Sequence, residues 1–153
     1  MPHSISNIGP IVFVRWRDEI FVADVLAAET EIKKQRTRAG ETLTVLWIVS
    51  ADVKLMSNDT RLAVARTVHA LKHVLRQIHV VVEGTGFLSS TYRSIFTPSR
   101  PSTGSGPGVA LHDSVIACLE HVSKAYNVEF GALLKTATFQ GVVATPGEHL
   151  GQE

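Results

Sequence analysis

The residues able to do chemistry fall into a few short stretches. "HALKH", residues 69–73, sets His69 and His73 four apart, which on a helix brings two imidazoles to one side within reach of a single metal ion. The hydrolase motif of that spacing needs a glutamate after the first histidine, and here the intervening residues are Ala-Leu-Lys. His112, Asp113 or Glu83 would complete a ligand set only if the fold delivered them. The single cysteine, Cys118, allows no intramolecular disulfide and leaves no zinc site built on cysteine. It alternates with core positions and reads as a small buried apolar residue. No metal and no cofactor are expected. In "VVVEGTGFLSS", Gly84, Thr85 and Gly86 follow a strand as in a nucleotide loop. The third glycine of the dinucleotide fingerprint and the lysine of a P-loop are both missing. These glycines therefore predict tight backbone turns, with a small strand-end pocket as the lesser reading. Ser89, Ser90, Tyr92, His112 and Asp113 are the raw material of a hydrolase site, but their spacing alone assembles no nucleophile, base and orienter.

A fourth stretch, "SNDTR", separates two apolar runs of different period. Asn58 or Asp59 can accept from the free N–H groups of the helix that follows. Thr60 would sit at the positive end of that helix, where a phosphate is tolerated, with Arg61 beside it to pair with the charge. Capping explains every residue of the turn without modification. From Thr60 to Val82 there is no acidic residue, and Arg66, His69, Lys72 or His73, and Arg76 recur at helical spacing. They predict one basic face, solvated or docked on an acidic partner. No aromatic residues are interleaved with these cations, so stacking on single-stranded nucleic acid is not expected.

The elements that must position these residues follow from composition and period. The chain has 153 residues, 44% of them hydrophobic, enough for one domain with a proper core. Fifteen basic and 14 acidic side chains leave a formal charge of +1, which gives no long-range pull toward nucleic acid or an anionic membrane. The first ten residues lack the pattern of a signal peptide, and no apolar run approaches membrane-spanning length. The expectation is a cytoplasmic domain without stable membrane insertion.

"HSISNI" and "GPIVFVRW" predict a hairpin across Asn7–Pro10. Residues 22–38 change to helical period, with Val22, Val25, Leu26 and Ile32 on the inner face and Gly40 as the stop. "TLTVLWIV" reads as a strand buried on both faces. Leu62, Ala65, Val68, Leu71, Val74, Leu75 and Ile78 mark a long helix, followed by the short strand "HVVVEG". "FLSSTYRSIF" suits a short helix, residues 97–108 are turn-rich, and "GVAL" is the last strand. Asp113 or Ser114 then caps a helix with Val115, Leu119, Val122 and Tyr126 inside, and "GALLKTATFQ" adds a final turn. The fold class is therefore α/β: a mixed sheet of about five strands with an N-terminal hairpin, covered by four or five helices, its core at about residues 4–139 and a tail from 145.

This order resembles the STAS domain, the fold of anti-sigma-factor antagonists, and more loosely the SpoIIAA-like proteins, from about Ile11 to Tyr126. "VLWIVSADVKLMSNDTRLAVARTV", "IHVVVEGTGFLSSTYRSI" and "VALHDSVIACLEHV" carry the likeness. In the antagonists an aspartate and two serines begin the helix after a central strand, and a partner kinase phosphorylates the first serine. The resemblance places Asp59 and Thr60 at the aspartate and the modified hydroxyl, with Arg61 where the second serine would stand. It implies a non-catalytic protein-interaction domain in cytoplasmic signalling, docking through the 59–76 helix and nearby strand-end loops onto a regulatory and acidic protein, with homodimerisation a further expectation. The alternatives are a small-molecule or lipid-binding module using the 84–96 region, and a hydrolase with a Ser/His site.

Overall fold

The computed structural model describes residues 3–84, 89–92, 108–126, 129, 131–133 and 135. Its centre is one five-stranded sheet: β1 (His3–Ile8), β2 (Ile11–Trp16), β3 (Leu43–Val49), β4 (Leu75–Val82) and β5 (Gly108–His112). Spatial order follows chain order. β1 pairs antiparallel with β2 through a two-residue turn, and all later pairs are parallel. The mixed sheet with its N-terminal hairpin is thus the architecture that the residue patterns predict.

Helices cover both faces. One face packs Val12, Val14, Trp16, Val45, Trp47, Val49, Ile78, Val80 and Val82 beneath α1 (Val22–Ala39) and α2 (Asn58–Ala70). The other packs Ile11, Phe13, Leu46, Ile48 and Val81 against Val115, Cys118, Leu119 and Val122 of α3 (Val115–Tyr126). All seven β3 side chains are buried, as expected of a strand covered on both sides.

Helix α1 buries Val25, Ala28, Ile32 and Gln35, while Val22 and Leu26, expected inside, are exposed. The true inner stripe is shifted to Val25, Ala28, Ile32 and Gln35. Gly40 ends α1 with φ +71°, its N–H donating to Arg36 O at 3.1 Å. Glu29 and Lys33 form the expected surface pair at 3.2 Å.

The largest correction concerns α2. The long predicted helix ends at Ala70, residues 71–74 form a turn, and Leu75 to Val82 is strand. Neither glycine nor proline marks the break. Pairing with β3 overrides the local helical period, because Ile78 to Val82 gains a full parallel ladder opposite Val45 to Val49. The buried face of α2 is Thr60, Ala63, Val64 and Thr67; Leu62 and Ala65, expected inside, face solvent. The cap also falls before both residues expected to supply it, Asn58 and Asp59. Ser57 Oγ accepts from the Thr60 N–H at 3.2 Å. At α3, Ser114 Oγ takes the capping role as expected, accepting from Ala117 N–H at 3.1 Å.

Candidate functional site

Four residues read from the "SNDTR" turn occupy two different environments. Asn58, Asp59 and Arg61 are exposed, whereas Thr60 is only 3% exposed. Its hydroxyl donates to Ile20 O at 3.3 Å and lies 3.0 Å from Ser57 Oγ, which then supplies its own proton. A kinase reaches this hydroxyl only if the turn opens.

The predicted basic face is divided by the end of α2. Arg61, Arg66 and His69 stand exposed on the helix, and Lys72 and His73 are exposed in the turn beyond it. His69 and His73 therefore do not share a helical face. Arg76 leaves the group altogether. It lies at a register shift in the β3–β4 ladder, where Leu43 pairs with Leu75 but Thr44 pairs with Gln77. The extra residue turns its guanidinium over the Tyr126 ring, 5.1 Å from the centroid, and the Tyr126 hydroxyl bonds Thr44. Arg76 thus fastens the last turn of α3 to the sheet. What remains outside α2 is Leu62, an exposed leucine at 54%, flanked by Arg61 and Arg66. Phe21, just before α1, and Leu26 within it are also more than half exposed.

At the carboxyl ends of the strands, Gly84 turns the chain with φ +87°, and a Cβ there would stand 2.8 Å from Ala51 Cβ. Thr85 and Gly86 lie outside the described residues, as do residues 93–107 and the expected tail. Ser89 Oγ donates to Glu83 O at 2.9 Å, and the His112 ring bonds another histidine, so the contact that the alternative hydrolase reading needs is not made between Ser89 and His112. Arg15 of β2 reaches across the strand ends, its Nη1 2.5 Å from Glu83 Oε1 and 2.9 Å from Ser50 Oγ. This ion pair locks three neighbouring strand ends together. Consecutive strand order also means that no two neighbouring parallel strands diverge in connection, the arrangement that opens a ligand crevice in doubly wound sheets.

The densest group of reactive side chains lies elsewhere, between the sheet and α3. His79 sits in the middle of β4, 1% exposed, on the face that α3 covers. The parallel register sets Val81 beside His112 at the end of β5, and His79 Nδ1 is 2.9 Å from His112 Nε2. Cys118, fully buried, comes down from α3, and one donor atom from each of these three residues lies within 4.8 Å of the others. The ring of exposed His121, one helical turn after Cys118, is 5.4 Å from that of His79 and 5.5 Å from that of His112.

Burial and the neighbouring imidazoles His112 and His121 pull His79 down to about 4. Burial and His121 lower His112 as well, against a smaller raising effect of Asp113. Both rings are therefore neutral at pH 7, and one N–H···N bond joins them. Burial pushes the Cys118 thiol up to about 12. Two neutral imidazoles and a thiol are donors suited to a borderline metal ion. A single cysteine can share such a donor set when the other donors are imidazoles.

Sequence reasoning singled out His112 and Cys118 separately and passed over His79 and His121. The C-x-x-H spacing of Cys118 and His121 on a helix was the available signal, together with a histidine inside the apolar run "IHVVV". Scans against protein-family models and curated proteins find no match to this chain. Among the described residues no helix is long and apolar enough to cross a membrane.

Proposed function

We propose that this chain is a non-catalytic protein-interaction domain that docks an acidic, partly apolar partner on the outer face of α2. The observation that carries the reading is the exposed Leu62 set between Arg61 and Arg66, in a stretch without any acid from Thr60 to Val82. An apolar side chain buried at the centre of a contact supplies affinity, and surrounding cations select and steer an acidic surface. The element order of the STAS-like antagonists, whose partner contacts include the start of this helix, is consistent with that use. The docking surface is narrower than the residue pattern predicts: it runs over Arg61, Leu62, Arg66 and His69 and excludes Arg76, which is engaged with Tyr126.

The test is a paired affinity capture from the native cell, with wild-type protein and a Leu62→Ser/Arg66→Glu variant as baits. A partner with an acidic surface should be retained by the wild type, lost by the variant, and weakened by added salt. Equal capture by both baits would overturn the reading.

A further inference from the structure

We propose that His79, His112 and Cys118 form a binding site for a divalent transition-metal ion of the zinc type, with His121 closing its open side. The site is independent of the α2 surface, since it lies on the opposite face of the sheet.

Three features of the cluster favour metal binding. The first is geometric. A tetrahedral zinc ion with bonds of about 2.0–2.3 Å to nitrogen and sulfur holds its ligand atoms roughly 3.3–3.8 Å apart. The two imidazole nitrogens stand 2.9 Å apart and all three donors fall within 4.8 Å, so shifts of about an ångström or less close the set. The second is the origin of the donors. They come from β4, β5 and α3, with the two histidines placed by a parallel register and the thiol by the inner stripe of α3.

The third is the cost of having these residues there without a ligand. His79 interrupts a strand whose neighbours Ile78, Val80, Val81 and Val82 are all buried and apolar. A valine or leucine at that position would contribute about 1.5–3 kcal/mol by burial, whereas a buried imidazole must keep its polar atoms satisfied. Its satisfaction comes from a second histidine, with a third ring beside both. A core filled for packing alone gains nothing from setting an imidazole beside a thiol and two further histidine rings at its edge.

The thiol of Cys118 loses its proton as the sulfur–metal bond forms, because a coordinated thiol is deprotonated outright. The proton shared between His79 and His112 moves to a ring nitrogen facing away from the ion, so the two rings remain neutral. One proton is released per ion. Nitrogen and sulfur donors favour zinc, cobalt(II) or copper over magnesium and calcium. The exposed ring of His121 lies on the solvent side of the cluster, where the fourth position opens.

The test uses the full chain, stripped with a chelator and titrated with Zn²⁺ against a chromophoric competitor, and separately with Co²⁺. The expected result is one ion per chain, one proton released, and a sulfur-to-cobalt charge-transfer band. His112→Ala, at a half-buried strand end, should weaken Zn²⁺ by more than about 100-fold, beyond what loss of a supporting residue outside the ligand set costs. Cys118→Ala should remove the charge-transfer band, and His121→Ala should weaken binding by about 10-fold. A His69→Ala/His73→Ala variant should take up Zn²⁺ like the wild type. Absence of one-to-one uptake would overturn the proposal. So would uptake that survives both His112→Ala and Cys118→Ala, or that disappears with His69 and His73.

Discussion

Thr60 donates its hydroxyl to the carbonyl of Ile20, joining the first turn of α2 to the residue that leads into α1. The bond is buried, so its loss leaves the Ile20 carbonyl without that donor in an apolar setting. Thr60→Ala should cost about 1–2 kcal/mol in urea unfolding, and Thr60→Ser should recover most of it. Partner binding through Leu62 and Arg66 should be unchanged in both variants. A Thr60→Ala protein of normal stability would show that the bond contributes nothing.

The Arg15–Glu83 pair joins a nearly buried guanidinium to a carboxylate whose side chain is one-third exposed. Removing Glu83 strands a buried charge, and the partial exposure of the carboxylate reduces the full penalty. Glu83→Gln should destabilise by about 1–3 kcal/mol, with only a weak dependence on salt. An Arg15→Met/Glu83→Leu double variant should be closer to wild type than either single change. Additive losses in that cycle would argue against direct coupling.

Two glycines with similar backbone angles should respond differently to alanine. Gly40, φ +71°, has open space where a Cβ would go, so Gly40→Ala should cost about 1–2 kcal/mol from backbone strain alone. Gly84, φ +87°, adds a 2.8 Å collision with Ala51 Cβ, and Gly84→Ala should lose about 1–3 kcal/mol more through that overpacking. Thermal unfolding of the two variants side by side checks the order. Equal losses would mean that the contact with Ala51 relaxes freely.

In the chelator-treated protein, acid should act through the histidine cluster. His79 is pulled from 6.5 to about 4 in the fold, so the unfolded chain takes up its proton first as pH falls. The stability associated with neutral His79 is complete above pH 6.5 and declines as pH drops through that value toward 4. His112 shifts in the same direction. Urea midpoints measured across this range should fall with acidity, and His79→Leu should flatten the profile. An unchanged slope in that variant would assign the acid sensitivity to other groups.

Burial of Cys118 and its thiol held near 12 predict negligible reaction with a thiol reagent at pH 8 in the native protein. Labelling should become rapid in denaturant. Fast native labelling would require α3 to lift from the sheet readily.

Much of this architecture could be read from residue order alone. Pro10 and Gly9 announced the hairpin, the apolar run from Leu43 to Val49 announced a doubly covered strand, and Gly40 and Ser114 marked helix ends. The junction of α2 and β4 was not legible. Leu71, Val74, Leu75 and Ile78 fit a helical stripe by spacing, and only the ladder with β3 decides against it. The same misreading carried Arg76 onto a docking face it never joins. His79 was hidden for a related reason. A histidine in a strand gains meaning only once register sets its neighbours, and here those are His112 from 33 residues further along and Cys118 from the opposing helix.

A sheet whose spatial order repeats its chain order can be assembled in the order of synthesis. Each new strand adds beside the one just made, and no earlier strand must open to admit a later one. β5 and α3 come last, and they bring His112, Cys118 and His121 to a His79 already fixed in place. Occupancy of the cluster by a metal ion would therefore report that the last strand of the sheet and the helix after it have docked, distinguishing finished molecules from those still in progress.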